Sequence, residues 1–251
     1  MNIMLSRILT YLNGTLFMDY RYQFCRFVVF NYEYLEEWDF EEVIEKSGLT
    51  REEILSFVAL LGHESYESFK RELVRDTYTR LEQIRARMLD VNSEDLIKNM
   101  DKSMSDDEMK DYISNICEAI DKAERVVIFG ALYPLCISVE FQTDLITFGK
   151  KVIQFHSYDP TIKLTDKDVA IFISATGRAM RSFLRTRQDV GLENSTSILI
   201  TQNKIYMEDE HRISTYVLHV PGKFDGINFN YQMMTIFDLL RIHYYQQYYL
   251  G

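Results

Sequence analysis

The chain has 251 residues, 47% hydrophobic and 26% charged, with only 10 Gly and 3 Pro. That composition excludes a disordered or low-complexity chain and suits one large domain or two modest ones. A formal charge of −10 argues against indiscriminate affinity for nucleic acid or anionic membrane, and leaves a local basic face open. Cys25, Cys117 and Cys136 are odd in number and far apart, and no CxxC or HxxxH spacing accompanies the five histidines. No disulfide framework, metal site or cofactor is therefore expected, and reduced thiols point to the cytoplasm. No stretch is long enough to span a bilayer, and residues 1–12 are too short and interrupted for a secretory leader.

Residues 1–85 read as helical throughout. Tyr22, Phe24, Phe27, Val28, Phe30 and Tyr34 make one apolar helix that must be largely buried. A two-turn helix over 41–48 follows and stops at Gly48. Thr50 is an N-cap with Glu53 three residues on, a capping-box pattern, and Ile54, Phe57, Val58 and Leu61 share a face before Gly62. Two short helices joined by a Ser-Gly-Leu-Thr turn have the form of a helix-turn-helix.

From Val43 through Lys46, Ser47, Gly48, Leu49 and Thr50, then Phe57, then Leu61, Gly62, Tyr66, Phe69 and Lys70, the chain resembles the N-terminal domain of RpiR-family transcriptional regulators. The resemblance implies DNA contact through Lys46, Thr50, Arg51, Ser56 and Lys70, with Arg71 and Arg75 extending the patch. Three positions depart from that family's pattern: Ser56, Ala59 and Leu60 stand where it carries basic residues. Glu52 and Glu53 occupy the helix end that usually meets base edges. Residues 1–85 hold ten Lys and Arg against fifteen Asp and Glu, a poor balance for phosphate contacts. The alternative is a helical unit kept for dimerisation or docking.

Leu73, Tyr78, Leu81, Ile84 and Met88 continue a helical pattern that leaves this domain. The polar run 92–107 is the candidate boundary, with room for a short helix near 96–100. The expected organisation is a helix-turn-helix domain over 1–85, a linker over 86–107 and an α/β domain over 108–251. In the last, strands at 126–129, 152–155, 169–173, 198–201 and 216–220 alternate with helices at 135–148, 179–190 and 230–249, which implies a five-stranded parallel sheet flanked by helices. Val169, Ala170, Ile171, Phe172 and Ile173 read as a strand buried on both faces. Ser174, Thr176 and Gly177 follow it at a helix entrance, either as an anion site or as a simple cap.

This second half resembles the sugar-isomerase (SIS) domain. The resemblance is carried by Ile128, Phe129 and Gly130, by residues 148–152, by the run from Asp168 to Gly177, by residues 198–201, and by Phe237, Asp238, Leu239 and Leu240. It implies a phosphosugar held by two loops, a Gly-x-Gly-Ser loop after the first strand and a Ser-x-Ser-Gly-x-Thr loop after the central one. Ser174, Thr176 and Gly177 match the second loop and Ala179 replaces its last Thr. In the first loop only Gly130 remains, with Leu132, Tyr133 and Pro134 in place of Gly and two Ser. Gly130, Tyr133, Ser174, Thr176, Gly177 and Arg178 are the expected ligand-binding residues, with Arg181 in support.

The leading expectation is a homodimeric transcriptional regulator that binds double-stranded operator DNA, senses a sugar phosphate and catalyses nothing. One alternative is a phosphosugar isomerase or lyase using Glu140, His156 or His219 as base. The other is a divergent relative that has lost DNA or ligand binding. The tyrosines at 244–249 are expected to pack on the sheet or on a partner subunit.

Overall fold

The computed structural model describes residues 3–130, 132–157, 159–224 and 227–251, and of Leu132 and Tyr133 the backbone only. The chain divides into two compact units, residues 1–87 with 143–151, and residues 88–142 with 152–251.

The first unit opens with α1 (Met4–Gly14), α2 (Tyr20–Phe30), α3 (Phe40–Ser47) and α4 (Arg51–Leu60), followed by the 23-residue α5 (Tyr66–Met88). The helix ends follow from side-chain chemistry. Asp19 accepts the N–H groups of Arg21 and Tyr22 to start α2. Asp39 with Glu42, and Thr50 with Glu53, close reciprocal capping boxes on α3 and α4. Between them Gly48 turns left-handed at φ 68°, which a residue with a Cβ rarely adopts. Phe24 is at the centre of the core, with Phe57 and Phe69 at 6.0 Å on either side, and the rings of Phe40 and Tyr66 stack at 4.5 Å. Asp76, 2% exposed, accepts the Met4 N–H at 2.8 Å and so satisfies the start of α1.

The second unit has α6 (Ser93–Asn99) and α7 (Asp106–Lys122) before β1 (Arg125–Phe129). Next come α8 (Leu132–Ile137), α9 (Val139–Thr147) and β2 (Lys151–Gln154), of which residues 143–151 group with the first unit, then β3 (Asp168–Ile173) and α10 (Arg178–Thr186). The unit closes with β4 (Thr196–Thr201), β5 (Tyr216–His219) and α11 (Ile227–Tyr244). The strands form one five-stranded sheet in the order β2-β1-β3-β4-β5, and β1, β3, β4 and β5 run parallel. Every residue of β3 is buried, as a central strand covered on both faces requires. Its start is pinned by Asp168, which takes two bonds from Arg125, the residue paired with it on β1, at 2.8 and 3.0 Å, and two from Thr165.

Three expected helices end differently. The helix expected over 135–148 breaks in two because the Ser138 hydroxyl, at 2.7 Å, and its N–H both turn back to the Leu135 carbonyl. The helix expected to reach 190 stops at Thr186. Arg187 leaves helical geometry at φ −129°, ψ 47° and its guanidinium grips Asp189 instead, after which a 3-10 turn runs over Gln188–Val190. The final helix ends at Tyr244 and widens into a π turn over Tyr245–Tyr249. There the Tyr244 hydroxyl donates to Asp121 of α7 at 3.1 Å, and Tyr245 is buried. No described helix is long and apolar enough to cross a membrane.

Within the first unit Arg80, 12% exposed, holds the fully buried Asp144 through Nε at 2.8 Å and Nη2 at 2.5 Å. Removing one member of such a pair leaves a bare buried charge. Arg80→Met lowers the unfolding free energy by about 3–5 kcal/mol in denaturant titration, and Arg80→Met with Asp144→Leu recovers most of it. A single-variant loss below about 1 kcal/mol would mean that Asp144 is satisfied without Arg80.

Candidate functional site

In this strand order the chain leaves β1 toward one edge and β3 toward the other, so β1 and β3 are the neighbours between which a crevice opens at their carboxyl ends. A cavity of about 640 Å3 lies there, bounded by Gly130 after β1, by Ser174 and Ala175 after β3, by Ala179, Phe183 and Arg187 of the α10 segment, and by Phe229 and Asn230 of α11. Pockets for small ligands are typically about 300–1,000 Å3.

The loop after β3 is held from β4. Ser174 N–H donates to Ile200, the Gln202 N–H and the Thr201 hydroxyl both donate to the Ala175 carbonyl, and the Asn203 amide donates to the Thr176 carbonyl. Gly177 then turns left-handed at φ 70° to start α10. A Cβ there would lie 2.0 Å from the ring of Tyr206, which is 1% exposed. Only glycine meets both conditions. Gly177, the N-cap of α10, makes no side-chain cap hydrogen bond. The Ser174 hydroxyl makes no hydrogen bond among the described residues. Thr176 Oγ1 takes the N–H and Nε of Arg178, both at a long 3.4 Å.

Five of the fourteen residues lining the cavity are phenylalanines. Phe129 and Phe172 are in register on adjacent strands, so they share a sheet face and stack at 4.7 Å. Phe155, just past β2, stacks on Phe129 at 4.7 Å, and Phe183 of α10 meets the edges of Phe129 and Phe155 at 5.2 Å. Arg187 lies over Phe155 and Phe183 at 5.6 and 5.9 Å and pairs with Asp189. That guanidinium, with Lys163, draws the Asp189 carboxyl down to about 2. Arg178, Arg181 and Arg185 face solvent from α10 without a carboxylate partner among the described residues, and Arg181 lies 5.3 Å from the Tyr206 ring.

Of the residues expected to bind ligand, Gly130 and Ser174 line the cavity. Thr176, Gly177 and Arg178 do not line it, although Ala175 before them and Ala179 after them do, and the Tyr133 side chain lies outside the described residues. Sequence reasoning did not single out Phe129, Phe155, Phe172, Phe183, Phe229, Arg187 or Asn230 as ligand-lining residues. The available signal was an aromatic at or next to the carboxyl end of three strands. None of the three candidate bases lines the cavity. Glu140 pairs with Arg241 at 2.9 Å, and His156 precedes the turn after β2. His219 bonds the Ser103 hydroxyl at 2.5 Å and the Gln202 carbonyl at 3.2 Å, and burial lowers its pKa.

In the first unit, each residue expected to meet DNA has an internal contact. Lys46 lies 4.8 Å from the Trp38 ring, Thr50 is engaged by Glu53, and Ser56 bonds the Tyr20 hydroxyl. Lys70 donates to the Trp38 carbonyl at 2.6 Å, and Arg51 pairs with Glu41. The outward face of α4 carries Arg51, Glu52, Ser56, Ala59 and Leu60, a mixed surface and not a uniformly acidic one.

No family model matches the sequence, and no curated protein matches it. Among solved structures, the chain is similar to the Vibrio vulnificus NanR protein complexed with ManNAc-6P, at 15% identity and TM-score 0.44, over 98% of this chain and 92% of that one. It is similar to a Methanococcus jannaschii protein with an inferred function of 3-hexulose-6-phosphate isomerase, at 19% identity and TM-score 0.47, over 62% and 86%. A third is the sugar isomerase domain of an RpiR transcription factor from Sphaerobacter thermophilus, at 17% identity and TM-score 0.43, over 66% and 89%. Likeness at this level assigns no function to the chain. The expectation that the chain catalyses nothing is withdrawn, since an inferred isomerase stands among these structures beside a transcription factor.

Gly177→Ala adds a left-handed strain and a clash with a buried ring, together roughly 2–5 kcal/mol. Thermal and denaturant unfolding should show that loss, and adding Tyr206→Ala should leave the ring clash out but keep the strain. Wild-type stability in Gly177→Ala would contradict the close approach.

Proposed function

We propose that the α/β unit binds a phosphorylated small molecule at the carboxyl ends of β1 and β3, the class to which the expected sugar phosphate belongs. The observation that carries this reading is the rim of the cavity. A helix N-terminus whose N-cap Gly177 has no side chain to bond its amides meets there a Ser174 hydroxyl with no hydrogen bond among the described residues, on a helix with three arginines lacking acidic partners among the described residues, in a chain of net charge −10. Such groups donate to an anion without prior rearrangement. Titration calorimetry with inorganic phosphate and a panel of sugar phosphates tests the reading. Ser174→Ala weakens the phosphate-bearing ligand about tenfold, the worth of one hydrogen bond to a charged group. Affinity unchanged in Ser174→Ala and Thr176→Ala would place the anion elsewhere.

A second part of the reading concerns the first unit, and the turn at Gly48 between two capping-boxed helices favours it. We infer that α3 and α4 present a homodimer to double-stranded DNA, as a ligand-responsive regulator. The internal contacts of the basic residues do not bar this. The Arg51–Glu41 pair is 46% and 73% exposed, and such pairs contribute about 0–1 kcal/mol. Lys46 gives up a ring contact worth about 0.5–1 kcal/mol. In mobility-shift titrations with DNA from upstream of the gene, Glu41→Gln frees Arg51 and tightens binding up to about fivefold, and Arg51→Ala weakens it. Absence of any shift for the wild type and Glu41→Gln alike removes DNA as the partner.

A further inference from the structure

The cavity is walled by aromatic rings, whereas a sugar needs a polar lining, and this points to the body of the ligand. We propose that the group held inside it is an aromatic or other flat apolar ring, with its anionic group at the Ser174 rim. This rests on the phosphate reading above for the position of the anion, and on separate observations for the ring.

Five phenylalanines, Phe129, Phe155, Phe172, Phe183 and Phe229, line the space. Phe129, Phe155, Phe172 and Phe183 contact one another at 4.7–5.6 Å, and Phe155 and Phe183 are only half-buried, so a further ring can extend the same arrangement from those two. The polar side chains are few. Among the described residues Ser157 and Ser174 make no side-chain hydrogen bond and the buried Oδ1 of Asn230 has no partner, while Arg187 is held by Asp189. A hexose phosphate brings several hydroxyl groups into that space. Each one left unpaired weakens binding roughly tenfold, whereas an aryl group leaves none. Arg187, stacked over Phe155 and Phe183, adds a cationic face against which a ring's π-cloud is favoured.

Calorimetry on the full chain with phenyl phosphate, glucose 6-phosphate, inorganic phosphate and benzyl alcohol decides it. The expected result is phenyl phosphate binding at least tenfold tighter than glucose 6-phosphate and inorganic phosphate. Glucose 6-phosphate binding as tightly as phenyl phosphate overturns the aromatic assignment and leaves the phosphate reading intact. Benzyl alcohol binding as tightly as phenyl phosphate supports the ring and sinks the phosphate reading. Binding of none of them overturns both. Ala179→Leu places the site without disturbing the core, since Ala179 is exposed at the cavity edge in the first turn of α10. It should reduce phenyl phosphate affinity at least tenfold with an unchanged melting temperature. Unaltered affinity in that variant also overturns the assignment.

Discussion

The contact between Gly177 and Tyr206 governs the candidate site. A left-handed residue packed on a buried ring gives the chain one way to pass from β3 into α10. Because the loop before it is bonded to Ile200, Thr201, Gln202 and Asn203, the end of β4 sets where the Ser174 hydroxyl and the first amides of α10 point. The rim is thus organised in advance of any ligand, and its donors need no reordering when an anion arrives.

The aromatic wall has a double role. Phe129 and Phe172 are 2% and 4% exposed and belong to the hydrophobic core of the sheet, while Phe155 and Phe183 are half-buried. One stack of rings therefore both closes the core above β1 and β3 and shapes the cavity. Residues deeper in that stack cannot be altered without touching stability, whereas Ala179 and Ser174 at the edge can.

Much of the α/β unit was legible in the sequence, because apolar runs such as 169–173 and their spacing report a parallel sheet directly. The Thr50–Glu53 capping box and the Gly48 stop were equally local signals, and both are present. Less legible were features fixed by distant partners. The break at Ser138 depends on a hydroxyl that could equally have stayed within a continuous helix. The Phe129, Phe155, Phe172 and Phe183 cluster arises only when β1, β2, β3 and α10 are brought together, and in sequence those residues look like ordinary core. Glycine at 177 was read as part of a phosphate motif, whereas its most demanding neighbour, Tyr206, lies 29 positions further along the chain.

The ion pair between Arg80 and Asp144 bears on any attempt to dissect the chain. Residues 143–151 are compact with the N-terminal helices although they follow β1 in sequence. A fragment begun at residue 88 would therefore carry the Asp144 carboxylate, solvent-free in the intact protein, without the guanidinium that neutralises it. A cut at residue 87 would likewise leave the helical part without residues 143–151, which are compact with it.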